Sequence, residues 1–127
     1  MRLIRDLNKI RRFKKPVVTL GVFDGLHRAH RVLLQNTVRK AKSIGGTSIA
    51  LTFFPHPQKK QSLYSLSHRL MYMRQLGVDV AIVIRFNRIF SGISAEDFIK
   101  NILVGRIHPE YVYIGRNFRF DCRKLEL

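Results

Sequence analysis

Two periodicities alternate along the chain, and that alternation limits the possible folds more than any other feature. Val17-Val18-Thr19-Leu20 is a short β-branched run, the kind found in a strand buried on both faces. The turn Gly21-Val22-Phe23-Asp24-Gly25 follows it. Val32, Leu33, Leu34, Val38 and Ala41 then recur at helical spacing until Gly45-Gly46 supplies a stop. Thr47 to Phe54 reads as a second strand, closed by Pro55-His56-Pro57 because proline cannot continue a central strand.

The pattern then repeats. Residues Gln58 to Leu66 read as a loop, and Ser67 is the expected N-cap of a helix carrying Leu70, Met71, Met73 and Leu76, with Gly77 as its stop. Val78 to Phe86 is a third strand. Ser94-Ala95-Glu96-Asp97 has a weak capping-box pattern before Phe98, Ile99, Ile102 and Leu103, and Pro109 breaks that helix. Tyr111-Val112-Tyr113-Ile114 is a fourth strand ending at Gly115. Strands alternating with helices in this way predict an α/β fold, a parallel sheet wrapped by helices. At 127 residues the chain suits one domain.

Composition narrows the partners. The 24 Lys and Arg against eight Asp and Glu give a formal charge of +16, a field that attracts polyanions such as nucleic acid, nucleotides or anionic membrane. A solvated surface accounts for surplus cations equally well. Arg2, Arg5, Lys9, Arg11, Arg12, Lys14 and Lys15 precede the first strong strand and are expected to be a basic lead-in to the fold. They lack the apolar region of a secretory signal. No apolar run nears the ~20 residues of a membrane span. One cysteine, Cys122, excludes an internal disulfide and a thiolate-built zinc site. The expected location is cytoplasmic.

In open parallel sheets, ligands bind beyond the carboxyl ends of the strands. The loop Gly21 to His30 is the richest of those available. It places two glycines in a strand-to-helix turn, with His27 and His30 three residues apart on one helical face beside unpaired N–H groups. Such a place suits phosphate. Neither the Gly-x-x-x-x-Gly-Lys-Ser/Thr loop nor the Gly-x-Gly-x-x-Gly fingerprint occurs. Zinc at His27 and His30 lacks a third ligand nearby. Plain helix-capping histidines are the bland alternative.

Gly21-x-Phe23-Asp24-Gly25-x-His27-x-x-His30 resembles the GxFDGxHxGH motif of the bacterial FAD synthetase (FMN adenylyltransferase) family, within the HxGH nucleotidyltransferases. Thr52-Phe53-x-Pro55-His56-Pro57 is similar to that family's segment after strand two, and Leu76-Gly77-Val78-Asp79 to its entry into strand three. Gly115-x-Asn117-Phe118-x-Phe120 is similar to its segment after strand four. Four elements in order are far more specific than the HxGH element alone, and they cover nearly the whole chain.

The resemblance implies a Rossmann-like parallel sheet of order 3-2-1-4 with helices on both faces. It implies transfer of AMP from Mg²⁺-ATP to FMN, giving FAD and pyrophosphate. His27 and His30 would hold the ATP phosphates, with Gly21, Phe23, Asp24 and Gly25 shaping the nucleotide side. Asp24 would orient the turn or reach the metal. His56, Asn117, Phe118 and Phe120 would lie toward the flavin or its phosphate, and for His56 simple loop capping is an equal alternative. The family pattern has glycine at the positions of Ala29 and Asp121. Its later serine-threonine-x-isoleucine-arginine stretch and the riboflavin kinase domain that commonly follows are not in the sequence. The expectation is therefore a single domain over 1–127, incomplete at its C-terminal end, with impaired turnover or a protein partner that completes the fold. The alternative is a non-catalytic basic module on the same fold that binds nucleotide or nucleic acid.

Overall fold

The computed structural model describes residues 1–21, 23, 28–54, 63–85 and 99–114. Along the chain run β1 (Arg2–Ile4), β2 (Pro16–Leu20), α1 (Arg28–Ile44), β3 (Thr47–Phe54), α2 (Leu63–Leu76), β4 (Val80–Arg85), a helix of wide π-type turns (Ile99–Ile107) and β5 (Tyr111–Ile114). The strands form one sheet, parallel at every pairing, ordered β1-β4-β3-β2-β5. The four strands expected from the sequence stand in the expected relative order, and the class is α/β.

Three expectations need correction. The basic lead-in is not merely a lead-in. Its first residues form β1, a fifth strand at the sheet edge beside β4, with Ile4 buried in the core. Ser67 is not an N-cap, because α2 already begins at Leu63 and Ser67 is an exposed residue within it. Leu66, Arg69 and Met73 all turn inward, and a helix starting after Ser67 would have left Leu66 out of that stripe. The third strand starts at Val80 rather than Val78, since the Val78 N–H closes the turn after α2 on the Met73 carbonyl and Asp79 binds Ser48. The expected helix start at Ser94 lies outside the described residues.

The two sheet faces differ in side-chain size, and this decides what packs on each. Val18, Leu20, Ile49, Leu51, Phe53, Ile82 and Ile84 point to one face, where Ile102, Leu103 and Ile107 of the π-type helix cover them. Leu7, Ile10 and Phe13 pack against the same cluster, and Arg106 ties the segment down by donating to the Leu7 carbonyl at 2.9 Å. The opposite face presents Thr19, Ala50, Thr52 and Ala81, all buried and mostly small. Small side chains let helices approach the sheet closely, and this face takes Leu34 and Val38 of α1 and Met73 of α2. Helices thus lie on both faces.

Helix ends are set by local chemistry. After α1, the Gly45 N–H donates to the Lys42 carbonyl and the Gly46 N–H to the Ala41 carbonyl. These are the paired bonds of a Schellman stop, with Gly45 in the left-handed region at φ +67°. α2 closes the same way through Gly77 and Val78.

Candidate functional site

The strand registers create a step at the carboxyl edge of the sheet. β2 and β5 end level, Leu20 opposite Ile114. β3 runs on past Leu51, the partner of Leu20, through Thr52, Phe53 and Phe54, with β4 alongside to Arg85. The ends of β2 and β5 thus form a floor, and the last residues of β3 and β4 stand above it. α1 and the π-type helix, which lead away from β2 and into β5, pack on opposite faces of the sheet. The boundary between β2 and β5 is therefore the topological switch point, where open α/β sheets take their ligands.

Three expected site residues interlock at this floor. Gly21 is buried, and its N–H donates to the Leu51 carbonyl at 3.1 Å. A methyl group at Gly21 would lie 3.0–3.2 Å from the Phe23 ring, so glycine is what lets that ring fold back over the strand end. Phe23 is fully buried and holds a left-handed φ of +57°, a conformation that costs a bulky L-residue of the order of 1–2 kcal/mol. Its ring meets His30 edge-to-face, with centroids 5.4 Å apart and planes at 78°. The turn is thus braced by an aromatic contact that also orients the His30 imidazole.

The first turn of α1 adds charge. It carries Arg28, His30 and Arg31 and no acid. Cations at a helix N-terminus oppose the dipole, and the N–H groups of a first turn favour an anion. The N–H groups of this turn suit a phosphate. Ala29, where the family pattern has glycine, is exposed in this turn.

Asp24, Gly25, His27, His56, Asn117, Phe118, Phe120 and Asp121 lie outside the described residues. Asp79, by contrast, sits at the other end of the sheet. Its carboxylate accepts from the Ser48 N–H at 2.9 Å and the Ser48 hydroxyl at 3.1 Å, and its backbone carbonyl accepts from Arg2. That residue fastens the amino ends of β1, β3 and β4 and belongs to the scaffold.

The sequence reading missed Arg69. This side chain is 1% exposed, donates to Thr52 Oγ1 at 3.1 Å and reaches the Phe53 carbonyl at 3.5 Å. Its guanidinium carbon lies 6.0 Å from the Phe54 ring centroid. A buried cation thus braces the part of β3 that rises above the floor. The available signal was spacing, since Arg69 falls between Leu66 and Met73 on the apolar stripe of α2. No group of three or more His, Cys, Asp or Glu that could hold a metal occurs among the described residues.

Residues 9–126 match the family model of FAD synthetase. The chain belongs to the FAD synthetase family. Its similarity to named relatives runs along the same stretch. It is 30% identical to a bifunctional riboflavin kinase/FMN adenylyltransferase of Buchnera aphidicola from Schizaphis graminum, over 98% of this chain and 42% of that protein. It is 31% identical to the Escherichia coli K12 protein of the same description, over 96% of this chain and 42% of that one. This FAD synthetase-family chain thus spans about two-fifths of the length of the relatives it matches. A crystal structure of a macrolide-efflux protein from Streptococcus pneumoniae superimposes with a TM-score of 0.76 at 20% identity, covering 96% of this chain and 43% of that one. At that identity the likeness speaks for the shared fold alone. No helix among the described residues of this FAD synthetase-family chain is long and apolar enough to cross a membrane.

Proposed function

We propose that this chain is an FMN adenylyltransferase domain, transferring the adenylyl group of ATP to FMN. The observation that carries the reading is the turn from β2 into α1. Gly21, Phe23 and His30 interlock there at the switch point, beside a helix N-terminus whose first turn is cationic and free of acids. Family membership and the names of the relatives support ATP and FMN as the substrates in this reading, with Mg²⁺ entering as part of the ATP complex.

The reaction is an in-line displacement. A phosphate oxygen of FMN forms a bond to the α-phosphorus of ATP, the bond from that phosphorus to the bridging oxygen breaks, and pyrophosphate leaves with the electron pair. No covalent intermediate with the protein is needed. The protein's task is to position the reactants and to neutralise the charge that spreads over the phosphates. His30 is oriented for this by the Phe23 ring, and the motif pairs it with His27. The α1 N–H groups add fixed positive ends that need no reorganisation as the reaction proceeds. In the same reading Asp24 and Gly25 shape the turn, while His56, Asn117, Phe118 and Phe120 serve the flavin or its phosphate.

The test is calorimetry with Mg²⁺-ATP, joined to an assay of pyrophosphate release from FMN and Mg²⁺-ATP. His27→Ala and His30→Ala should each weaken ATP binding by about 1.5–3 kcal/mol if they donate to phosphate. Each should lower turnover by roughly a hundred- to a thousandfold, the usual cost of losing one preorganised donor. Equal ATP affinity in wild type and both variants would remove the histidines from the site. ATP binding without FAD formation would leave a nucleotide-binding domain and reject the transferase.

A further inference from the structure

The outward face of α1 carries a line of cations. Arg28, Arg31, Gln35, Arg39 and Lys42 follow one another at steps of three and four residues, and all five are exposed. At 3.6 residues per turn they fall within an arc of about 80°, and Arg28 lies about 21 Å along the helix axis from Lys42. α1 contains no Asp or Glu, so nothing within the helix neutralises the line. Arg31 is held in place over the Tyr72 ring of α2, 5.7 Å from its centroid.

We propose that this face of α1 is a contact surface for the backbone of a double-stranded nucleic acid, with Arg28, Arg31, Arg39 and Lys42 each meeting a phosphate and Gln35 donating between them. The cations form two pairs, Arg28 with Arg31 and Arg39 with Lys42, whose centres are about 16 Å apart along the axis. That spacing lets the pairs reach phosphates on either side of a duplex groove about 12 Å wide. Three of the four are arginines, whose planar fork suits phosphate. No residue of the line is itself aromatic, and the Tyr72 ring beneath it is occupied by Arg31, which favours duplex over single strand. Insertion into a membrane interface needs an exposed apolar helix face, whereas Leu34, Val38 and Ala41 of α1 are buried against the sheet. Contacts of this kind read charge and shape, so binding is independent of base sequence.

The measurement is fluorescence anisotropy of a labelled 20-base-pair duplex of arbitrary sequence, titrated with the whole chain from 50 to 300 mM KCl. Four phosphate contacts predict a slope of log affinity against log salt of about −3.6. Arg39→Gln with Lys42→Gln should make the slope shallower by about 1.8 and weaken binding at 100 mM salt by about ten- to a hundredfold. Those two residues lie in the last turns of α1, away from the Gly21 turn, so ATP binding should be unchanged in the same variant. The control is Arg11→Gln with Arg12→Gln, which removes equal charge beside Ile10 and Phe13, packed on the opposite sheet face from α1. An equal loss in the control would show a diffuse field and overturn the surface. So would tighter binding to a single strand than to the duplex, or binding to anionic lipid vesicles with the same sensitivity to Arg39 and Lys42. An unchanged slope in the α1 variant would overturn it outright. Because ATP affinity is read separately, failure here leaves the adenylyltransferase reading standing, and the reverse also holds.

Discussion

Thr52 Oγ1 and the Phe53 carbonyl take their hydrogen bonds from a guanidinium that is itself buried, whereas the Thr19 hydroxyl, also buried, has no hydrogen-bond partner among the described residues. The two positions should respond oppositely to the loss of polarity. Arg69→Met keeps much of the stem volume but removes the donor that braces the end of β3, which costs about 1–3 kcal/mol. Thr19→Val keeps the shape and removes a hydroxyl that was stripped of water for no return, so it should be neutral or stabilising by up to about 1–2 kcal/mol. Urea unfolding of the two variants decides this. A destabilising Thr19→Val would mean that the hydroxyl is satisfied by something bound. Phe23 is the residue whose geometry is least readable in advance. Its presence in the turn is plain in the sequence, but a left-handed backbone is expected of glycine or asparagine and not of phenylalanine.

At the scale of elements, the join between α1 and β3 packs tightly against Lys15. A methyl group at Gly46 would run into the Lys15 carbonyl oxygen, which also accepts from the Thr47 N–H, so neither backbone can withdraw without breaking the strand's first contacts. Gly45, one residue earlier, has open space around it and only its positive φ to protect. Gly46→Ala should therefore cost about 1–3 kcal/mol through overpacking, and Gly45→Ala only about 1 kcal/mol through backbone strain. Thermal denaturation would rank them, and a Gly45 variant that is the worse of the two would refute the steric argument. This region was also the most legible from sequence. Thr47–Phe54 and Tyr111–Ile114 stand where their β-branched runs and flanking Gly and Pro residues put them. β1 escaped notice because three residues at an edge, with Leu3 exposed among arginines, carry no readable period. Arg69 escaped because an arginine ordinarily reads as a solvated residue, and only burial of its whole stripe reveals otherwise. The candidate site was proposed from a motif, while the step between strand ends beside it depends on registers no local pattern specifies.

For the whole molecule, the formal charge of +16 means that folding brings like charges together. Raising NaCl from about 0.02 to 0.3 M shrinks the screening length to well under the size of a domain and should stabilise the fold by about 1 kcal/mol, a rise of about 4 °C in Tm. Differential scanning calorimetry over that range tests it, and a flat or falling Tm would mean that the repulsion is already compensated. The position of β1 has a consequence in time rather than in energy. It precedes the other four strands of the sheet, yet its neighbour β4 comes about eighty residues later in the chain, an interval of about 4–16 s at ordinary rates of synthesis. During that wait Arg2-Leu3-Ile4-Arg5 is a strand-forming segment without its native neighbour, and its flanking arginines are the kind of charge that disfavours pairing with other chains.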